Sequence, residues 1–159
     1  MRHILPISGK DSLWTAIIQK RAEPTLTYEY MFNDTGAELP ETYAWLDSVE
    51  KYLNAPIQRV GESLEDIMYD QGILPSPMKR YCTRMSKIYP MEDWIGRDAA
   101  CVYYGIRADE DRQGYVPNKK LNITPVYPLV THNQNLQDVY EGLNHLGLMP
   151  PPVFLAKAL

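Results

Sequence analysis

His3-Ile4-Leu5-Pro6-Ile7, Ser8-Gly9-Lys10-Asp11-Ser12 and Leu13-Trp14-Thr15-Ala16-Ile17-Ile18 follow one another without a break near the start of the chain. The first piece is a short apolar run of the kind that forms a buried strand, and the third spaces its apolar residues as a helix does. Between them lies a polar loop. Strand, loop and helix in this order open a βαβ unit, whose outer strands must run parallel. Leu26 to Phe32 alternates and is rich in Tyr and Thr, which predicts a second strand ending at Asn33-Asp34-Thr35-Gly36. Tyr43, Leu46, Val49 (or Glu50) and Leu53 recur at helical spacing between Pro40 and Pro56, and Pro40 stands where a helix start tolerates it.

The pattern continues to the end. Ile57 to Val60 reads as a third strand, and Ser63 with Asp66 gives a capping box for a helix that stops near Gly72. Met78 to Trp94 is partly helical in pattern, interrupted by Pro90, and Ala99 to Ile106 is a fourth strand. Residues 107 to 120 are charged and predict a long loop, Ile123 to Val130 a further strand. Leu136, Val139, Tyr140, Leu143 and Leu146 line one face of a last helix, with Gly147 at its exit. Strands alternating with helices predict an α/β fold: one mostly parallel sheet with helices on both faces. The 159 residues, 45% of them hydrophobic, suit a single domain over 1–159.

Composition excludes several functions. No apolar run approaches the roughly 20 residues of a membrane span. Met1-Arg2-His3-Ile4-Leu5-Pro6 reaches a proline before a signal-like stretch forms, so a cytoplasmic location is expected. The formal charge of -4 argues against general nucleic-acid affinity. Cys82 and Cys101 are too few for a disulfide scaffold, and His3, His132 and His145 form no ligand-spaced pair for zinc. Cys101, in an apolar strand, is expected in the core. Cys82 is flanked by Lys79, Arg80, Arg84 and Lys87, which would lower a thiol pKa or draw in an anion, although a tolerated cysteine on a basic face accounts for the pattern too.

Loop Ser8–Ser12 carries the chemistry. Backbone N–H groups between a strand and a helix N-terminus converge on anions, glycine lets a ligand approach the backbone, and Lys10 neutralises phosphate charge. It is not a Walker loop: Asp11 stands where Ser or Thr should follow Gly-Lys. A polar turn capped by Ser8 and Asp11 remains the other reading of the same residues. Asp109, Glu110 and Asp111 suit either a metal or a solvated loop; Trp14, Trp45 and the tyrosines read as core and rim rather than base-stacking platforms, with Tyr103 and Tyr104 the first pair to consider for stacking.

Taken together, the loop resembles the pyrophosphate-binding loop of the PP-loop superfamily, usually Ser-Gly-Gly-Lys-Asp-Ser, and Phe32-Asn33-Asp34-Thr35-Gly36-Ala37-Glu38-Leu39-Pro40-Glu41-Thr42 resembles the second-strand signature of its phosphoadenosine phosphosulfate (PAPS) reductase family. Arg80-Tyr81-Cys82-Thr83 with Lys87-Ile88-Tyr89-Pro90, Gly105-Ile106-Arg107-Ala108-Asp109-Glu110 with Arg112, and Pro125-Val126-Tyr127-Pro128-Leu129 with Leu136 to Leu148 are similar to later parts of that family. The resemblance implies a Rossmann-like sheet of the adenine nucleotide alpha hydrolase type, with ATP or PAPS at the carboxyl ends of its strands. Ser8, Gly9, Lys10, Asp11 and Ser12 would hold phosphates, and Asp34, Thr35 and Gly36 would line the nucleotide pocket. Lys10, Arg107 and Arg112 would act on the transferring group, and Asp11 would bind a magnesium ion if the substrate is ATP.

The implied activity is that of an enzyme acting at a phosphate or sulfate group in a sulfur-transfer or nucleotide-activation pathway. The alternative is a non-catalytic nucleotide-binding subunit or sensor, completed by a protein partner or a second copy. Two departures bear on this. Ile7-Ser8 stands where the usual loop has Ser-Gly, or the loop is one residue shorter. The reductases also carry a nucleophilic cysteine in a Glu-Cys-Gly tail, and no cysteine follows Cys101 here, so thioredoxin-coupled reduction is not expected. Sulfonucleotide reduction would then need Cys82 or a partner's thiol.

Overall fold

The computed structural model describes residues 1–34, 36, 38–61, 66, 69, 72, 88–111, 114 and 116–152. Five strands form one parallel sheet in the order β3-β2-β1-β4-β5: β1 is Arg2–Pro6, β2 Glu29–Asn33, β3 Ile57–Val60, β4 Ala100–Tyr103 and β5 Ile123–Val126. Five helices are described, α1 (Lys10–Ala22), α2 (Pro40–Leu53), α3 (Tyr89–Ile95), α4 (Pro128–Thr131) and α5 (Leu136–Leu146). The architecture is Rossmann-like α/β, as the alternation of patterns required.

Strand β1 is central because it is flanked on both sides: Ile4 is in register with Glu29 on one neighbour and with Val102 on the other. Alternation then divides the core. Leu5, Ile7, Tyr30, Phe32 and Tyr103 face helices α1, α2 and α5 through Leu13, Trp45, Val49 and Leu143, whereas Ile4, Met31 and Val102 face Met91 and Ile95 of α3. Helices therefore cover both faces. Trp14 of α1 rests on Gly142 of α5, where any Cβ would collide with the indole, and its Nε1 donates to Gln134 Oε1 at 3.0 Å.

Several elements differ from the sequence expectation in extent. The second strand starts at Glu29, not Leu26, because Tyr28 turns back to the end of α1, its hydroxyl donating to the Glu23 carbonyl at 2.8 Å. Pro90 lies in the first turn of the described helix α3, where a missing N–H costs nothing, and the expected helical stretch before Ile88 lies outside the described residues. The fifth strand stops at Val126, since Pro128 starts the short helix α4. Cys101 is half-buried, not core, with its Sγ 3.3 Å from Met1 Sδ. The expected helix from Ser63 and the segment holding Cys82 lie outside the described residues, apart from Asp66, Tyr69 and Gly72.

Candidate functional site

In a sheet of order 3-2-1-4-5 the crossovers leave β1 toward one side and arrive at β4 on the other, which opens a crevice between the carboxyl ends of β1 and β4. The loop after β1 leads into α1, so Lys10, Asp11 and Ser12 form the helix's first turn rather than part of the loop. Gly105 follows β4 and makes the junction tight: a Cβ there would lie 2.8 Å from Ser12 N and 2.9 Å from Asp11 C. Only a residue without a side chain lets the two segments meet.

Arg107 crosses this crevice. Its Nη1 donates to Asp11 Oδ2 at 2.8 Å, its Nε to Asp109 Oδ1 at 3.0 Å, and Glu110 Oε1 lies 3.6 Å from Nη1. Glu110 also accepts the Arg107 backbone N–H at 2.9 Å. Lys10 Nζ approaches the same Asp11 oxygen at 3.5 Å, and the Lys10, Arg107 and Asp11 side chains are only 10%, 14% and 18% exposed. Burial disfavours the Arg107 charge, but Asp11, Asp109 and Glu110 outweigh it and raise its pKa above the ordinary value. The guanidinium stays charged at any working pH.

Asp11 Oδ1, in contrast, is buried and has no partner among the described residues. Two cations here face three carboxylates, so the cluster as it stands is not an anion cradle. Its amides are also engaged: Ser8 N and Gly9 N both donate to Ser12 Oγ, at 2.7 and 3.0 Å, and that hydroxyl donates to the Gly9 carbonyl. Two loop N–H groups thus converge on one oxygen, the convergence expected for an anion, with a side-chain oxygen at the focus.

One strand over, Asp34 follows β2. Its Oδ1 accepts the Gly36 N–H at 3.0 Å and the Tyr43 hydroxyl at 2.8 Å, and that carboxylate raises the Tyr43 pKa. Arg59 lies over the Tyr43 ring at 5.0 Å. Gly61, with φ +148, packs so closely that a Cβ would come within 2.7 Å of the Asp34 carbonyl oxygen. Thus Asp34 is fixed from both sides, while Thr35 and Arg112 lie outside the described residues.

Some features had no readable signal. The contact made by Gly105 depends on where α1 starts. Spacing places Tyr43 on one face of the second helix, and its hydroxyl reaches Asp34. Asn33 Oδ1, at the end of β2, is buried and unpartnered among the described residues, a cost of about 1–3 kcal/mol for an acceptor out of water. Tyr103 is buried with its hydroxyl 2.8 Å from His3 Nδ1, so it is no base-stacking platform. Asp109 and Glu110 serve Arg107, and no group of three or more His, Cys, Asp or Glu suited to a metal occurs among the described residues.

A parallel 3-2-1-4-5 sheet with charged loops meeting at its switch point defines a protein of the Rossmann-like α/β class. The chain belongs to the family of the phosphoadenosine phosphosulfate reductase domain, whose profile matches residues 2–127. It is 29% identical to an uncharacterized protein of Methanocaldococcus jannaschii, over 75% of this chain but only 27% of that protein, so it spans about a quarter of that relative's length. Among solved structures it is similar to PAPS reductase from Candida auris in a phosphate complex, with a TM-score of 0.68, 16% identity, and 99% and 78% of the two chains covered. No described helix is long and apolar enough to cross a membrane.

Proposed function

We propose that the chain is an enzyme that binds an adenine nucleotide, ATP or a sulfonucleotide, at the crevice between β1 and β4 and acts at its phosphate or sulfate group. The observation that carries this is the Lys10–Asp11–Arg107 cluster joining the loops after β1 and β4. The family's nucleotide and the phosphate complex of the Candida auris reductase support it. In this reading Ser8, Gly9, Lys10 and Ser12 bind phosphates, and Asp34, Thr35 and Gly36 line the nucleoside side. Arg107 leaves Asp11 for the transferring anion, with Arg112 assisting, because a planar guanidinium offers that group two parallel hydrogen bonds.

Asp11 fits a magnesium ion bound together with phosphate, since its buried Oδ1 lacks a donor among the described residues. Such an ion would supply charge neutralisation between the carboxylates and the phosphate oxygens. With three carboxylates against two cations, an unaccompanied polyphosphate would meet net repulsion.

The test is calorimetric titration with ATP, AMP and PAPS, with and without magnesium, on the wild type and on Lys10→Ala. Binding that Lys10→Ala weakens about tenfold to a hundredfold, the range of a charge-assisted hydrogen bond, is expected. An absence of heat at millimolar nucleotide, or equal affinity in the variant, would refute the reading. Binding without turnover would instead favour a nucleotide-binding subunit over an enzyme.

A further inference from the structure

Resting on that nucleotide reading, we infer that Glu110 is a positioning residue: its carboxylate keeps the Arg107 guanidinium in the crevice when Arg107 lets go of Asp11. The three acids that meet Arg107 differ in where they stand. Asp11 belongs to α1, across the crevice, whereas Asp109 and Glu110 share the loop of Arg107 itself. Once Arg107 turns from Asp11 to an anion, the two loop acids are the described groups left to aim it.

Glu110 grips Arg107 at two points. One oxygen, Oε2, accepts the Arg107 backbone N–H at 2.9 Å, and the other, Oε1, lies 3.6 Å from Nη1. The Glu110 N–H donates back to the Arg107 carbonyl at 3.2 Å and closes a turn over residues 107–110. That turn is anchored in its own right: the Ala108 N–H donates to the Gln134 carbonyl at 2.9 Å, and the Gln134 side chain accepts from Trp14 of α1. The root of the arginine is thereby fixed relative to the helix that starts at the phosphate loop. Asp109, by contrast, holds Nε at 3.0 Å from an exposed position, where water competes for the bond. Nη2 donates to no described residue, and Nη1 is released with Asp11, so these two nitrogens form the edge that a phosphate or sulfate group takes in two parallel hydrogen bonds. Charge and position then act in opposite directions. If charge alone mattered, removing an acid beside an anion site would strengthen binding. Removing the group that aims the arginine weakens it.

Calorimetric titration of ATP, in magnesium, and of PAPS against the wild type, Glu110→Ala, Glu110→Gln, Arg107→Ala and the Glu110→Ala, Arg107→Ala double variant reads both the sign and the route of the effect. For whichever nucleotide the wild type binds, Glu110→Ala is expected to weaken affinity about tenfold, the scale of one charge-assisted hydrogen bond. Glu110→Gln, which keeps an acceptor for the Arg107 N–H, should weaken it less. With Arg107 already replaced by Ala, Glu110→Ala should bring no further loss, because its effect passes through the guanidinium. Unchanged or tighter binding by the Glu110 variants, or an equal loss when Arg107 is absent, would overturn the assignment while leaving the nucleotide site standing. A wild type that binds neither nucleotide would overturn the site itself, and the role of Glu110 with it.

Discussion

Adding a single methyl group at Gly105 tests the junction on which the site depends. In Gly105→Ala the new Cβ would fall 2.8 Å from Ser12 N, 2.9 Å from Asp11 C and 3.0 Å from Ser12 Cα. All three atoms are main chain in the first turn of α1, so none can rotate aside as a flexible side chain would. Either the β4 exit retreats or α1 moves, and moving α1 pulls Asp11 from Arg107. Overpacking of this kind costs about 2 kcal/mol, which for a chain of this size lowers Tm by about 4–8 °C. Urea unfolding followed by circular dichroism, with thermal melts alongside, measures it. Gly9→Ala is the matched control: no atom lies within 4 Å of its Cβ and its φ of -178 is open to any residue, so stability should change by less than about 0.5 kcal/mol. If Gly105→Ala proves as stable as the wild type, the close approach of β4 to α1 is wrong.

Three further outcomes are expected. Asp11→Asn should abolish any gain that magnesium gives to ATP binding and improve binding in its absence; calorimetry showing the same magnesium dependence as the wild type would count against the ion. Trp45→Phe removes a buried donor from the Leu148 carbonyl, 2.9 Å away, and should cost about 2 kcal/mol in urea unfolding, so a neutral result would exclude that bond. Arg2 holds Glu29 by two hydrogen bonds of 2.8 Å, and these depress the Glu29 pKa. Stability from this half-exposed pair is therefore present above the unfolded pKa of 4.5 and is lost as the pH falls through the lower folded value. A gap of about 1 kcal/mol between wild type and Glu29→Gln at pH 7 should close in acid, and a gap that persisted at pH 2 would argue against the pair.

Periodicity carried the fold. Leu5 and Phe32 alternate with Ile4 and Met31 as pleated strands require, and Leu46, Val49 and Leu53 recur as a helix requires, so element types and parallel pairing were legible from spacing alone. Element ends were less so, because Tyr28 and Pro128 are set by tertiary partners and by proline geometry rather than by hydrophobic pattern. At the site, Lys10, Asp11 and Arg107 were nameable from the sequence, and the structure brings them together. That Arg107 reaches Asp11 was not legible, since it depends on the loops after β1 and β4 meeting, whereas its ties to Asp109 and Glu110 lie within one loop. The Tyr43–Asp34 bond was hidden for a related reason: helical spacing gives the face of a residue, not the reach of its polar tip.

Ser12 gives the corner between β1 and α1 a property of its own. Because its hydroxyl already receives the Ser8 and Gly9 amides, those donors do not wait on a ligand to be satisfied, and the turn keeps its shape when empty. On the proposed reading a phosphate oxygen would exchange places with an oxygen rather than organise loose chain, so little ordering entropy would be charged against affinity at this point. Association there should be governed by encounter and by the swing of one small side chain, a picosecond-to-nanosecond event, instead of by slow closure of a loop.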